Sequence, residues 1–274
     1  MKLFEKTITL EDKHKPLVLI PFGDIHIGAS GVNKGYFNKT VKFIKDTPNC
    51  YAIGMGDYCD AINIKDKRFD IKSVDRTFFD ELDNLPMAQM NYLIHAIKPI
   101  KDKILCAIPG NHEEKFRINN SIDLMYMINH DLKIPVGDYM SFLKIKFDRH
   151  QFQHAVKPMT IWLQHGWFAG RKMGGKVNQL MDVANTYEAD MYLSGHSHDL
   201  FATTLERMTV PERTLDIIKT KKTFINTGTF LETVTKRGTS YGEMKAYPVA
   251  KIGSARIKIY PRRTPLQSDV HVSI

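Results

Sequence analysis

Cysteine is nearly absent. The chain has 274 residues and three cysteines, Cys50, Cys59 and Cys106. The number is odd and no pair is spaced as Cys-x-x-Cys. That argues against a disulfide framework and for a reducing, cytoplasmic setting. Long apolar runs are also missing. Nothing approaches the roughly 18 uninterrupted apolar residues of a membrane span, so no membrane partner is expected. Met1 to Lys15 is charged throughout and has no apolar stretch, so no secretory leader is expected there. There is no internal repeat and no low-complexity linker. Acidic residues are in deficit: 30 Asp and Glu face 39 Lys and Arg, a formal net charge of +9 at pH 7. Residues 199–274 hold 13 Lys and Arg against 7 Asp and Glu, so 6 of the 9 net charges lie there. Such a balance suits an anionic partner or substrate, with nucleic acid the first candidate.

What remains is ordinary globular material, 43% hydrophobic and 25% charged. The length allows one large domain or two small ones. We expect a single domain over residues 1–274, with a motif-bearing core at 17–230 and a basic, β-rich segment at 231–274.

Five short polar stretches organise the chain, and each follows a bounded apolar run. Gly23-Asp24-Ile25-His26 follows Leu17 to Phe22, and Gly56-Asp57-Tyr58-Cys59-Asp60 follows Tyr51 to Met55. Gly110-Asn111-His112-Glu113 follows Ile104 to Pro109. His165-Gly166 follows Thr160 to Gln164, and Gly195-His196-Ser197-His198 follows Met191 to Ser194. Bounded runs of this kind read as buried strands. In layered α/β proteins the site lies beyond the carboxyl ends of the strands, so the five stretches should meet at one sheet edge.

The remaining elements follow from local pattern. Residues 1–16 read as an edge segment. Gly35 to Lys45 reads as a helix closed by Pro48, and Ser73 to Ile97 as a helix interrupted at Pro86. Ser121 to Leu132 and Val177 to Thr186 read as further helices. Ser141 to Phe147 alternates like a half-buried strand, Phe224 to Asn226 reads as a strand, and Ala255 to Tyr260 resembles an outer one. Phe168 to Lys176 reads as a glycine-rich basic loop. The order suggests two mixed β-sheets packed face to face with helices outside.

Asp24 and His26 are one residue apart, as are His196 and His198, so each pair can point the same way from an extended segment. Asp, His and Asn with no cysteine favour a borderline or hard divalent ion. Seven candidate ligands are too many for one tetrahedral ion and suit two ions sharing a carboxylate. Taken singly, each residue has a plainer explanation: Asp24 or Asp57 as a helix cap, Asn111 as a turn residue, the paired histidines as surface groups. Those explanations would all have to hold together, in order.

The ordered set Asp-x-His, Gly-Asp-x-x-Asp, Gly-Asn-His-Glu, His-Gly, Gly-His-x-His resembles the calcineurin-like metallophosphoesterase superfamily. The resemblance spans residues 23–198, and Asn226-Thr227-Gly228-Thr229 resembles that family's next strand-end turn. It implies an αββα sandwich with a two-metal site. Asp24, His26 and His198 would hold one ion, Asn111, His165 and His196 the other, and Asp57 would bridge them. His112 would sit beside the substrate phosphate as the catalytic residue, and Asp60 would orient a ligand. The implied cofactors are two divalent ions, manganese first, with iron, zinc or nickel as alternatives. The implied reaction is attack of metal-activated hydroxide on a phosphodiester.

For the substrate, the Asp57 and Asn111 stretches look like those of Ser/Thr protein phosphatases. However, Ala61-Ile62 stands where those enzymes carry Arg-Gly, and Pro109 stands where they carry Arg. The Gly-Asp-x-x-Asp form is also similar to the DNA-repair exonuclease branch. We therefore expect a nuclease or nucleotide phosphodiesterase. The alternatives are an esterase for a small phosphate ester, or an inactive phosphoesterase-like binding protein. Arg171, Lys172 and Lys176 are candidates for holding a phosphate backbone, against a plain solvated loop. Trp167 and Phe168 are expected in the core rather than stacked on a base, and Cys59 is expected to be an inert buried thiol. No protein partner can be named.

Overall fold

The computed structural model describes residues 1–152, 156–167, 172–210, 216–235, 241–261 and 268–274. In chain order its strands are Lys2–Ile8 (β1), Leu17–Phe22 (β2), Cys50–Gly54 (β3), Ile104–Ala107 (β4), Met140–Phe147 (β5) and Met159–Gln164 (β6). Then come Met191–Ser194 (β7), Leu200–Thr209 (β8), Ile218–Thr229 (β9), Gly253–Ser254 (β10), Arg256–Tyr260 (β11) and Asp269–Ser273 (β12). The main helices are Lys34–Asp46 (α1), Leu85–Ile97 (α2), Asn111–Asn120 (α3), Leu124–Leu132 (α4) and Met173–Asp182 (α5).

The strands form two mixed sheets. One runs β12-β11-β2-β3-β4; the other runs β1-β5-β6-β7-β9-β10, with β8 also paired to β9. β2, β3 and β4 are parallel, as are β6, β7 and β9. Every residue of β2 is buried, as expected for a strand covered on both faces. Its period-2 alternation sends Leu17 and Leu19 between the sheets, where they join Ile53, Leu143, Ile161, Leu193 and Ile225. Val18, Ile20 and Phe22 point the other way, into a layer with Phe37 and Ile44 of α1, Leu93 of α2 and Ile128 of α4. On the far face of the second sheet, Trp162, Tyr192 and Phe224 share a cluster with Leu180 of α5. The layers are therefore helix, sheet, sheet, helix. No described helix is long and apolar enough to cross a membrane.

Several elements differ from the expectation. Pro86 does not interrupt a helix; it sits in the first turn of α2, where its missing N–H costs nothing, and a 3-10 stretch at Arg76–Asn84 precedes it. α3 was not expected, because Asn111–Asn120 carries no apolar stripe. β8 was also unforeseen and pairs along its whole length with β9. β11 is not an outer strand: it lies between β2 and β12, and Ile257 and Ile259 are buried between the sheets. The basic loop expected at Phe168 to Lys176 is helical from Met173 onward; Phe168 and Arg171 lie outside the described residues.

Candidate metal centre

The carboxyl ends of β2, β3, β4, β6 and β7 open on one edge, and the loops that follow are laced together by main-chain bonds. Asp24 N–H donates to Gly56 O at 2.9 Å, and Ile25 and His26 N–H donate to Asp57 O at 2.9 and 3.1 Å. Gly195 N–H donates to His165 O at 2.8 Å, and Phe230 N–H to Asp24 O at 3.0 Å. Packing is too close for a side chain at Gly110, where a Cβ would lie 2.1 Å from Asp57 Oδ1. Five of the candidate ligands have left-handed backbone: Asp24 (φ 47°), His26 (φ 55°), Asp57 (φ 49°), His196 (φ 66°) and His198 (φ 57°). Each such residue costs about 1–3 kcal/mol, which the surrounding bonds must outweigh. Strain concentrated in this way turns the side chains toward each other.

Each buried carboxylate divides its oxygens. Asp24 Oδ2 accepts from His196 N–H at 2.9 Å, while Asp24 Oδ1 is buried with no hydrogen-bond donor. Asp57 Oδ1 accepts from His112 N–H at 2.8 Å. Asp57 Oδ2 faces His165 Nε2 at 3.1 Å and His26 Nε2 at 3.9 Å. Around Asp24 Oδ1, His198 Nε2 stands at 3.4 Å and is itself 3.1 Å from His26 Nε2. Asn111 Oδ1 is 3.1 Å from His165 Nε2. Ligand atoms held about 2.1 Å from one ion at angles near 90–109° lie about 3.0–3.4 Å apart, so these spacings fit a coordination shell. Asp24, His26 and His198 form one such group, and Asp57, His165 and His196 another, with ligand atoms within 4.8 Å of one another in each.

The electrostatics follow from burial. His26 is held well below the usual imidazole range, first by burial and then by repulsion from His112. Burial opposes ionisation of Asp57, but His165, His112 and His26 outweigh it and hold its carboxyl well below the usual range. Burial likewise opposes the charge on His165, yet the carboxylates of Asp57 and Asp24 push it up to about 10. His165 Nδ1–H donates to Met55 O at 2.7 Å, leaving Nε2 as the site of that extra proton.

A ligating histidine must be neutral, so an ion held by His165 at neutral pH would have to displace that proton. The apparent affinity for a divalent ion is expected to rise about tenfold per pH unit below about pH 10. Calorimetric titrations in buffers of different ionisation enthalpy will show one proton released from this group. In the metal-free protein the sign is opposite. With its folded value above the ordinary 6.5, the histidine's stabilisation is fully present below pH 6.5 and is lost as pH rises through about 10.

His112 and Asp60 stand beside the first group. His112 Nδ1–H donates to the Asp60 carbonyl at 2.5 Å, and Asp60 Oδ1 lies 3.7 Å from that nitrogen and 3.9 Å from His26 Nδ1. The rings of His26 and His112 meet edge to face at 4.7 Å. Burial lowers the His112 pKa, but Asp57 and Asp60 outweigh it and raise the net value. Asp24, His26, Asp57 and His165 are buried, whereas Asn111, His112, His196 and His198 are only half-buried. The centre therefore has a closed floor and an open rim.

Of the three candidate phosphate-holding cations, the two within the described residues sit in different settings. Lys172 is exposed at the start of α5, and Arg171 lies outside the described residues. Lys176 is buried with its ammonium paired to Asp199, so the expected exposed contact is not what the fold presents. Trp167, expected in the core, is 57% exposed. Cys59 is a free, buried thiol whose pKa burial pushes well up.

Sequence reasoning gave no role to three supporting residues. Glu113 is buried, and its carboxylate accepts from the N–H groups of Asp57, Tyr58, Cys59 and Gly110 at 3.0, 2.8, 3.1 and 2.9 Å. It thereby ties the β3 loop to the start of α3. Its position three residues after Gly110 is a capping-box spacing, the one signal available. Tyr139 donates from its hydroxyl to Gly166 O at 3.0 Å and sets its ring edge-on to His165; nothing in the sequence pointed to it. Thr229 Oγ1–H donates to Asp24 O at 2.8 Å. Glu113→Gln would turn an amide N–H toward main-chain donors. Leaving such buried groups unsatisfied costs about 1–3 kcal/mol each. We expect a clear fall in urea midpoint for metal-free protein, and a midpoint equal to wild type would contradict the assignment.

A profile for the family described as calcineurin-like phosphoesterase matches residues 19–200, which contain every candidate ligand. No curated protein sequence matches the chain. Among solved structures, zinc-bound Vps29 from Entamoeba histolytica is similar over 93% of this chain and 98% of its own, at 9% identity and a TM-score of 0.38. A conserved uncharacterised protein from Streptococcus pneumoniae, described as a predicted phosphoesterase, is similar over 94% and 98%, at 12% identity and a TM-score of 0.34.

Proposed function

The chain belongs to the calcineurin-like phosphoesterase family, and from that premise we propose that it is a two-metal phosphodiesterase acting on a nucleic acid or nucleotide. One observation carries the two-metal part. Asp57 Oδ2 faces both His26, of one ligand group, and His165, of the other, at 3.9 and 3.1 Å. A single carboxylate oxygen facing imidazole nitrogens of two ligand groups is the arrangement expected of a bridge. Asp24, His26, His198 and Asp57 would hold one divalent ion; Asp57, Asn111, His165 and His196 would hold the other. The donor set is nitrogen and oxygen throughout, and the orphaned Asp24 Oδ1 gives a further reason for a cation there.

Bound at those residues, divalent ions supply Lewis-acid polarisation of a phosphoryl oxygen and bring the pKa of water down to about 7. The protein does the rest. The buried floor fixes the ligand atoms before substrate arrives, so little reorganisation remains for the reaction itself. His112 stands on the open rim, where a phosphate can reach it. Its Nδ1–H is held by the Asp60 carbonyl, which leaves Nε2 to carry the proton given to the leaving oxygen. Asp60 keeps that imidazole oriented and, through its carboxylate, favours the protonated form.

The nucleic-acid part is supported by the +9 charge. It is tested by manganese-dependent cleavage of labelled single- and double-stranded DNA and RNA at moderate salt. Cleavage that chelator abolishes is the expected result. Intact nucleic acid with continued hydrolysis of bis-p-nitrophenyl phosphate would keep the phosphoesterase and replace the substrate by a small phosphate ester. Failure on both would leave an inactive binding protein.

A further inference from the structure

Lys176 is a lysine in an apolar position. It lies on α5 four residues before Leu180 and therefore on the same helix face. Leu180 is fully buried in the cluster with Trp162, Tyr192 and Phe224, and Lys176 itself is 7% exposed. Lysine is almost never buried unless paired, and its partner here is Asp199. Asp199 directly follows His198, the last candidate ligand.

His198 needs such help. Its side chain is 30% exposed. A ligating histidine is normally fixed by a hydrogen bond at its second ring nitrogen, as His165 is by Met55 O. Among the described residues, no group takes that role for His198 Nδ1. Its position comes instead from a left-handed backbone, φ 57°, between two tethered neighbours. Ser197 Oγ accepts from Asn226 Nδ2 at 2.9 Å on one side, and Asp199 is gripped by Lys176 on the other.

We infer that the Lys176–Asp199 ion pair is a positioning device for His198, which sets how tightly the Asp24–His26–His198 group holds its ion. This rests on the metal-centre reading above. Lys176 and Asp199 are positioning residues and do not touch substrate. The pair also links the His198 side of the centre to α5. A buried ion pair adds little net stability, since apolar replacement of both partners is often neutral or favourable. A role confined to stability therefore predicts that the double apolar variant behaves as wild type in every respect. A positioning role predicts that it recovers stability alone.

The test is a cobalt(II) titration of the full chain followed by visible absorption, beside thermal unfolding of the metal-free protein. The variants are Lys176→Met, Lys176→Arg and the double Lys176→Met/Asp199→Leu. We expect two ions for wild type. One ion should be weakened about 10–100-fold in Lys176→Met, the range for loss of an outer-shell partner, with an altered spectrum for that ion. Lys176→Arg should restore most of it. The double variant should regain the wild-type melting temperature but not the affinity. If Lys176→Met fails to fold, the double variant decides. Two ions bound by the double variant with wild-type affinity and spectrum would overturn the inference and leave the metal centre standing. No cobalt bound by wild type would remove the metal centre and the inference with it.

Discussion

Asp57→Asn will remove both ions and leave the fold in place. The substitution keeps the size of a side chain that is only 2% exposed. It also keeps an oxygen that can accept from His112 N–H, the 2.8 Å bond made by Oδ1. What it changes is the other oxygen. An amide group there donates hydrogen instead of offering lone pairs, and it faces His165 and His26, the histidines of separate ligand groups. Losing one outer-shell partner typically weakens metal binding 10–100-fold, so loss of a shared ligand should weaken both ions by at least about 100-fold. A second readout needs no metal. Asp57 is the leading influence that pushes His165 up to about 10. In the metal-free variant the imidazole should fall back toward its ordinary range, as followed by NMR titration. Equal weakening of two ions together with that fall is the signature of a bridge. If only one ion is lost, Asp57 serves a single site.

His112→Ala will keep both ions and lose most turnover. The side chain forms a further possible ligand group with His26 and Asp60, but its Nδ1–H already donates to the Asp60 carbonyl, and the bond that helps seat Asp57 comes from the main chain of residue 112, which the substitution retains. Loss of a positioned proton donor usually costs about 10²–10⁴-fold in rate. The leaving group should reveal the role. Esters of p-nitrophenol need little protonation, so the variant should be least impaired on them and most impaired on alkyl or sugar leaving groups. The pH profile gives the sign. An acid acts while protonated, so wild-type kcat/KM should fall as pH rises through the raised His112 pKa, and the variant should lack that limb. Wild-type rates on alkyl diesters, or loss of metal in the variant, would refute the assignment.

The parts of this centre that were legible in the sequence are those written in strand boundaries. Leu17–Phe22 and Met191–Ser194 are short, apolar and followed at once by Asp or His, so both the strand and the place where its loop opens can be read. The fold brings Asp24, His26, Asp57, Asn111, His165, His196 and His198 to one edge because their strands are aligned there. Other parts depend on tertiary bonds that leave no periodic mark. α3 is NHEEKFRINN, without a stripe, and its first turn is organised by Glu113 reaching back to Gly110. Tyr139 belongs to the connection between β4 and β5, and its hydroxyl meets Gly166 only after folding. Lys176 looked like one more surface cation in a glycine-rich basic stretch; burial on α5 and a carboxylate 23 residues away decide otherwise. Trp167 shows the same limit in reverse, since an aromatic residue after a buried strand was expected inside and is exposed.

The most direct test of the two-metal account is anomalous diffraction from crystals soaked in manganese, recorded at energies that distinguish the bound element. The account predicts two peaks flanking Asp57, one beside Asp24, His26 and His198, the other beside Asn111, His165 and His196. A single peak, or peaks away from Asp57, would contradict it.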